Sequence, residues 1–205
     1  VVALVSTMLS NESLYLASRV VVKTGGTGLF RVRTGPEAPL PGVPDLSLRA
    51  ERAANVKGAE LLGFTKSTTP LDALESGDVL LVVGETLSAA DAAAVARASH
   101  VIVIGTTLPE GARGAEVALP SCTMAEEEGT FTNLRGRVQR YMQATSASGM
   151  TRPAWWILAD LLTQLGQPTS VFLASEVFDT LAAALPQFAG MSYDALGFRG
   201  QAMSS

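Results

Sequence analysis

Several short strings in this sequence carry chemistry by residue type and spacing. Ser10-Asn11-Glu12, Gly84-Glu85-Thr86 and Gly105-Thr106-Thr107 each follow an apolar run, and Glu126-Glu127-Glu128 is an acidic cluster. Hydroxyl and amide side chains at the carboxyl ends of parallel strands suit a crevice that holds a small ligand by hydrogen bonds. Glu12 would repel a phosphate there and also fits a plain helix start, while turns alone account for the other two strand ends equally well. Consecutive glutamates point apart on regular backbone, so the acidic run reads as a solvated or partner-facing loop rather than a metal or acid-base cluster. Gly25-Gly26-Thr27-Gly28 follows a helix and precedes a strand, the reverse of a phosphate-cradling loop, and reads as a turn.

Other catalytic signatures are missing. There is no P-loop, no Gly-x-Gly-x-x-Gly after a strand, no Gly-x-Ser-x-Gly elbow and no paired-histidine helix. One cysteine, Cys122, excludes an intrachain disulfide and a cysteine-ligated cluster or zinc site closed by this chain alone. Cys122 also lacks a basic helper. The single histidine, His100, begins a strand, away from the ligand-bearing edge.

The elements that must position these residues are legible from periodicity. Val1 to Ser6 is a continuous apolar run, the mark of a strand buried on both faces. Ser10 can cap a helix over 11–23, with Glu12 in its first turn. Leu29 to Arg33 then completes a β-α-β unit. Residues 34–46 form a Pro-rich excursion that excludes regular helix or central strand. Short helices are expected over 46–55 and 71–76, and a longer one over 89–98. Strands are expected over 78–84, 100–105 and 116–119, pairing in parallel through right-handed crossovers. The segment 125–139 is polar and Gly-punctuated, hence loop-like. Helices over 153–166 and 174–185 follow. The expected fold class is α/β, a Rossmann-like doubly wound, mostly parallel sheet with flanking helices and a helical C-terminal extension. It divides into a Rossmann-like domain (1–120), a signature loop region (121–150) and a C-terminal helical segment (151–205).

Composition narrows the function further. The chain has 205 residues, 47% of them hydrophobic, enough for a sizeable core, and a net charge of -4 that does not furnish a broad cationic face for nucleic acid. No apolar run approaches the roughly 18–20 residues of a membrane span, and the first residues lack a secretory signal, so a cytosolic compartment is expected. A start on Val-Val-Ala-Leu-Val without an initiator Met reads as a fragment of a longer polypeptide.

One long string is more specific: Leu119-Pro120, then Ala125-Glu126, Glu128-Gly129-Thr130-Phe131-Thr132-Asn133 and Gly136-Arg137-Val138-Gln139. It resembles the signature of the molybdopterin oxidoreductase superfamily, with Arg135 where that pattern usually has Glu. Ser10-Asn11-Glu12 with Tyr15-Leu16, the stretch from Glu37 to Leu46 with Arg49, Arg52, Asn55 and Gly58 to Gly63, and the ending Phe188 to Gly197 look like the large iron-sulfur subunit of bacterial NADH-quinone oxidoreductase, complex I.

That resemblance implies a parent subunit with iron-sulfur clusters elsewhere, and a place on the cytoplasmic side in the peripheral part of a membrane-associated respiratory complex. The partners implied are the other domains of that subunit and other peripheral-arm subunits. Cofactor-binding relatives carry Asn-Pro and an acid where this chain has Gly84-Glu85-Thr86-Leu87 and Gly105-Thr106-Thr107-Leu108. The expectation is therefore a non-catalytic structural and assembly domain that binds no cofactor, with Ser10, Asn11, Glu85, Thr86, Thr106 and Thr107 on the edge of a vestigial pocket. Glu126, Gly129, Thr130, Asn133, Gly136 and Arg137 would form an interaction motif. The alternative is the cofactor-binding domain of an active molybdenum oxidoreductase, and a third reading is a small-molecule binding module using the strand-end edge.

Overall fold

The run Val2–Val5 (β1) is buried at every position, as a strand with helices on both faces must be. The computed structural model describes residues 1–204, with Pro44 and Asp45 described through their backbone alone; Ser205, the last residue of the segment expected over 151–205, lies outside the described residues. After β1 come α1 (Asn11–Lys23), β2 (Thr27–Phe30), β3 (Ala38–Leu40), β4 (Val43–Leu48), α2 (Val56–Leu61), β5 (Thr65–Lys66) and β6 (Val79–Val83). The second half holds α3 (Ala92–Val95), β7 (His100–Gly105), β8 (Val117–Pro120), β9 (Gly129–Thr132), β10 (Arg137–Tyr141), α4 (Ala154–Gln164), α5 (Ala174–Ala184), α6 (Tyr193–Leu196) and β11 (Gln201–Ala202).

Six strands form one parallel sheet in the order β5-β2-β1-β6-β7-β8. Numbered within the sheet alone, that order is 3-2-1-4-5-6, the order of dinucleotide-binding doubly wound folds. The chain reverses its direction of winding between β1 and β6, and a crevice opens there at the carboxyl ends of the strands.

Period-two alternation splits the core between the two faces of this sheet. Val2, Leu4, Leu80, Val82, Val101 and Val103 pack on one face with Leu71, Leu74, Leu87 and Val95. Ala3, Val5, Leu81, Val83 and Ile104 pack on the other, with side chains of α1, α4, α5 and α6. Ser10 caps α1, its hydroxyl accepting from the Ser13 N–H at 3.2 Å. Gly25, at φ +61°, lies just past the helix end, where a left-handed backbone favours glycine.

Four expectations need correction. Leu46 to Asn55 is not a helix: the Pro-rich excursion is an exposed antiparallel ribbon, β3 on β4, which tolerates Pro39 because a two-stranded ribbon leaves N–H groups facing solvent. The helix that follows starts only at Val56. The helix over 71–76 is a single 3₁₀ turn at Pro70–Ala73, and the one over 89–98 shrinks to a 3₁₀ turn followed by α3. Finally, 125–139 is not loop-like, since β9 and β10 pair as a hairpin that β11 extends into a three-stranded antiparallel sheet. Its buried face carries Thr130 and Thr132 beside Val138, so β9 shows no hydrophobic alternation in the sequence.

Candidate functional site

The crevice at the switch point is lined by Ser6, Thr7 and Met8 after β1, Arg31 and Arg33 after β2, Gly84, Glu85 and Thr86 after β6, and Arg52 and Ala53, enclosing about 270 Å³. Because β2 stops at Phe30, Arg31 and Arg33 fall just beyond its carboxyl end. Arg31 donates to both carboxylate oxygens of Asp91 (3.2 and 3.1 Å) and to the Thr86 carbonyl, and lies 3.7 Å from Glu85. Arg33 donates to the Thr86 hydroxyl at 2.9 Å. Arg52 donates to the Pro36 carbonyl at 2.9 Å, while its Nη1 is buried without a partner among the described residues.

Glu85 therefore does not sit as a bare negative charge. Burial raises its carboxyl above the ordinary value, while the Thr86 N–H, Arg31 and Arg33 pull the other way. Asp91 is held below its ordinary value: partial burial opposes its charge, but the bonds from Arg31 and Ser88 outweigh that. Three guanidinium groups around a small polar cavity, one with an unused buried N–H donor, are a donor set for phosphate or pyrophosphate.

Beside the crevice lies a second, buried polar cluster. Asn11 and Glu12 at the start of α1 are fully enclosed by the β9–β10 hairpin. Thr130 donates to Glu12 through its N–H and its hydroxyl, both at 2.9 Å, and the Tyr193 hydroxyl donates to the same carboxyl at 3.0 Å. Asn55 donates to Asn11 Oδ1 (3.0 Å) and the Leu9 carbonyl (3.1 Å) and accepts from the Thr132 N–H (2.9 Å). The Tyr141 hydroxyl donates to Glu127 at 2.9 Å.

Burial pushes Glu12 from 4.5 up to about 7, although four hydrogen bonds favour its charged form. Burial likewise pushes Glu127 up to about 7; the Tyr141 hydroxyl and the Ala154 N–H at the start of α4 lower it and Glu12 raises it. Two glycines make the close approach possible. A Cβ on Gly58 would lie 2.2 Å from Asn55 Oδ1 and 2.4 Å from Asn11 Oδ1. A Cβ on Gly129 would lie 2.7 Å from Ser10 Cβ and 2.8 Å from the Tyr141 hydroxyl. Gly129→Ala is thus expected to destabilise the chain by about 2 kcal/mol through overpacking, read as a lower urea midpoint with an unchanged slope.

Of the six residues expected on the pocket edge, only Glu85 and Thr86 line the crevice, together with the neighbouring Gly84 and with Arg52, which the sequence offered only as part of the resemblance. Ser10 and Asn11 are fully buried and bond to protein groups. Thr106 and Thr107 line a separate hollow with Leu108, Leu119 and Pro120. Glu126 is half-buried and holds a local turn, accepting from Thr123 and Ser148. Gly129 and Thr130 lie in the buried cluster, whereas Asn133 shapes the hairpin turn by accepting from Arg135 and Arg137 N–H groups. Gly136 occupies that turn at φ +74°, and Arg137 ties β10 to the Arg199 and Gly200 carbonyls. The acidic run is not wholly solvated as expected, since Glu127 is 7% exposed. His100 pairs with Glu116 at 2.6 Å on the amino-terminal edge of the sheet. Burial raises the Cys122 thiol above its ordinary value, with Glu127 and Glu126 adding to the effect and Thr151 opposing it, which leaves it poorly nucleophilic.

Sequence reasoning missed Arg31, Arg33, Arg52, Asn55, Glu127 as a buried group, Tyr141 and Tyr193. The alternation Arg31-Val32-Arg33 after an apolar pair was a readable signal for the first two; the others meet only through long-range packing.

The sequence matches the molybdopterin oxidoreductase family over residues 49–164. It is 36% identical over 172 residues to the "F420-dependent formate dehydrogenase 2 subunit alpha" of Methanococcus maripaludis, covering 78% of this chain and 25% of that protein. It is 37% identical over 101 residues to the "F420-dependent formate dehydrogenase 1 subunit alpha" of the same organism, covering 48% and 15%. The chain thus spans about a quarter or less of the length of these two relatives. Sheet order, crevice and sequence agree, and the chain belongs to the molybdopterin oxidoreductase family.

Proposed function

We propose that this chain is part of the cofactor-holding body of an active molybdopterin-dependent oxidoreductase of the formate dehydrogenase kind. The observation that carries the proposal is the arginine-lined crevice at the switch point, where the buried Nη1 of Arg52 has no partner among the described residues. Arg33, Arg52 and the Thr86 hydroxyl would hold the phosphates of a pterin nucleotide. When bound, that group supplies a metal centre for two-electron transfer. The chain's own residues bind and orient the anion: Arg31 stays committed to Asp91 and Glu85 and keeps the rim in shape, leaving Arg33 and Arg52 to face the ligand.

This favours the alternative over the complex I reading. The relatives above carry formate dehydrogenase names, and the expected repulsion by Glu85 is offset by Arg31 beside it.

The test is calorimetric titration of the chain with guanosine diphosphate and with inorganic pyrophosphate, in low and high salt. Binding that weakens with salt is expected, as is a loss of roughly 10-fold or more in Arg52→Ala or Arg33→Ala, the size of one charge-assisted hydrogen bond. In the full-length parent, stoichiometric molybdenum or tungsten with pterin supports the reading. No anion binding together with a metal-free, pterin-free parent would return the chain to the scaffold role.

A further inference from the structure

Three elements close over the amino end of α1: the segment leading into β9, the hairpin strand β10, and α6. The ionisable groups they bring are Glu12 from α1; Cys122, Glu126, Glu127 and Glu128 from the segment before β9; Arg140 and Tyr141 from β10; and Tyr193 from α6. Arg140 is already engaged, donating to Glu128 at 2.8 Å with its guanidinium 4.6 Å above the Tyr193 ring. Glu126 is half-buried and accepts from Thr123 and Ser148. Among the described residues no cation lies within ion-pair distance of Glu12 or Glu127.

Two buried carboxyls therefore lie close together without a counter-charge among the described residues: Glu12 Oε2 and the Tyr141 hydroxyl that donates to Glu127 are 3.1 and 2.8 Å from the same point, the Cβ position of Gly129, and Tyr193 donates to Glu12. Glu127 Oε2 is buried with no hydrogen-bond partner among the described residues. Two like charges so placed cannot both be ionised cheaply, because burial removes solvation and each carboxylate repels the other.

We propose that Glu12 and Glu127 form a proton-operated latch: protonated, they lock the β9–β10 hairpin and α6 over the start of α1, and loss of their protons loosens that seam. The inference is independent of what the crevice binds.

The sign follows from both carboxyls being raised from 4.5 to about 7 on folding. The folded chain binds protons more tightly than the unfolded one, so the stabilisation is full below about 4.5 and is lost as pH rises through 7. Asp91 and Glu126 are shifted the other way and act at lower pH, outside this window.

The test is urea unfolding of the chain at steps from pH 5 to 8. The folding constant is expected to fall roughly 100-fold across that range for one carboxyl's contribution. Glu12→Gln and Glu127→Gln should each flatten the profile, and the pair together should leave only the smaller slope that Glu85 contributes, since burial raises its carboxyl too. Infrared difference spectra between pH 6 and 8.5 give a second readout that needs only wild type and Glu127→Gln: a protonated-carboxyl band lost on raising pH, and reduced in the variant. A wild-type profile flat from pH 5 to 8 would overturn the latch. So would a slope that survives both glutamine variants but disappears in His100→Gln, or the absence of the carboxyl band.

Discussion

Asn55→Ala is expected to destabilise the chain by about 4 kcal/mol, a large share of a typical folding margin of about 5–15 kcal/mol. Asn55 is fully buried, and its side chain bridges three otherwise distant segments: the loop after β1 through the Leu9 carbonyl, α1 through Asn11, and β9 through the Thr132 N–H. Truncation leaves two of those partners without another protein bond, because Asn11 alone keeps one from the Thr132 hydroxyl at 3.3 Å. Each buried orphan costs about 1–3 kcal/mol, and the void is too polar to be filled by relaxing apolar neighbours. Chemical unfolding should show a reduced midpoint, and amide exchange at Thr132 should speed up more than exchange in β6. A loss below about 1 kcal/mol would mean that the bridge contributes little beyond what water can replace.

Phe178→Ala should cost a similar amount, about 3–5 kcal/mol, by a different route. The ring is fully buried, edge-on to Phe188 at 6.2 Å and tilted against Tyr193 at 5.6 Å. It belongs to the apolar cluster that contains Val5, Leu14 and Leu158, so removing it opens a cavity in the core shared by the sheet and the C-terminal helices. Tyr193 also loses the wall that aims its hydroxyl at Glu12. Unfolding midpoints measure the loss, and partial rescue by benzene would identify a dry cavity as its cause. A stability unchanged within about 0.5 kcal/mol would show that α5 does not hold the body together.

Much of the architecture was legible because it is written in local pattern. The continuous apolar runs of β1, β6 and β7 announce strands buried on both faces, and Ser10, Pro153 and Gly25 mark helix ends by their own backbone preferences. The string from Leu119 to Gln139 was sufficient for the family, which the match over residues 49–164 agrees with. Where local pattern conflicted with tertiary pairing, expectation failed. The exposed ribbon of β3 and β4 carries prolines that argue against strands, and β9–β10 hides polar side chains on its inner face, so neither shows the alternation that marks a half-buried strand.

The crevice and the carboxyl cluster mark the boundary between the two kinds of information. Residue types and their order determined a parallel α/β sheet and membership of the family. Only the folded chain decided that Arg52 joins Arg31 and Arg33, that Glu85 is paired, and that Glu12 comes near the Tyr141 hydroxyl that bonds Glu127. Periodicity reports which face of an element is buried, whereas charge compensation and proton sharing depend on distances of a few ångströms between elements, which no single segment encodes.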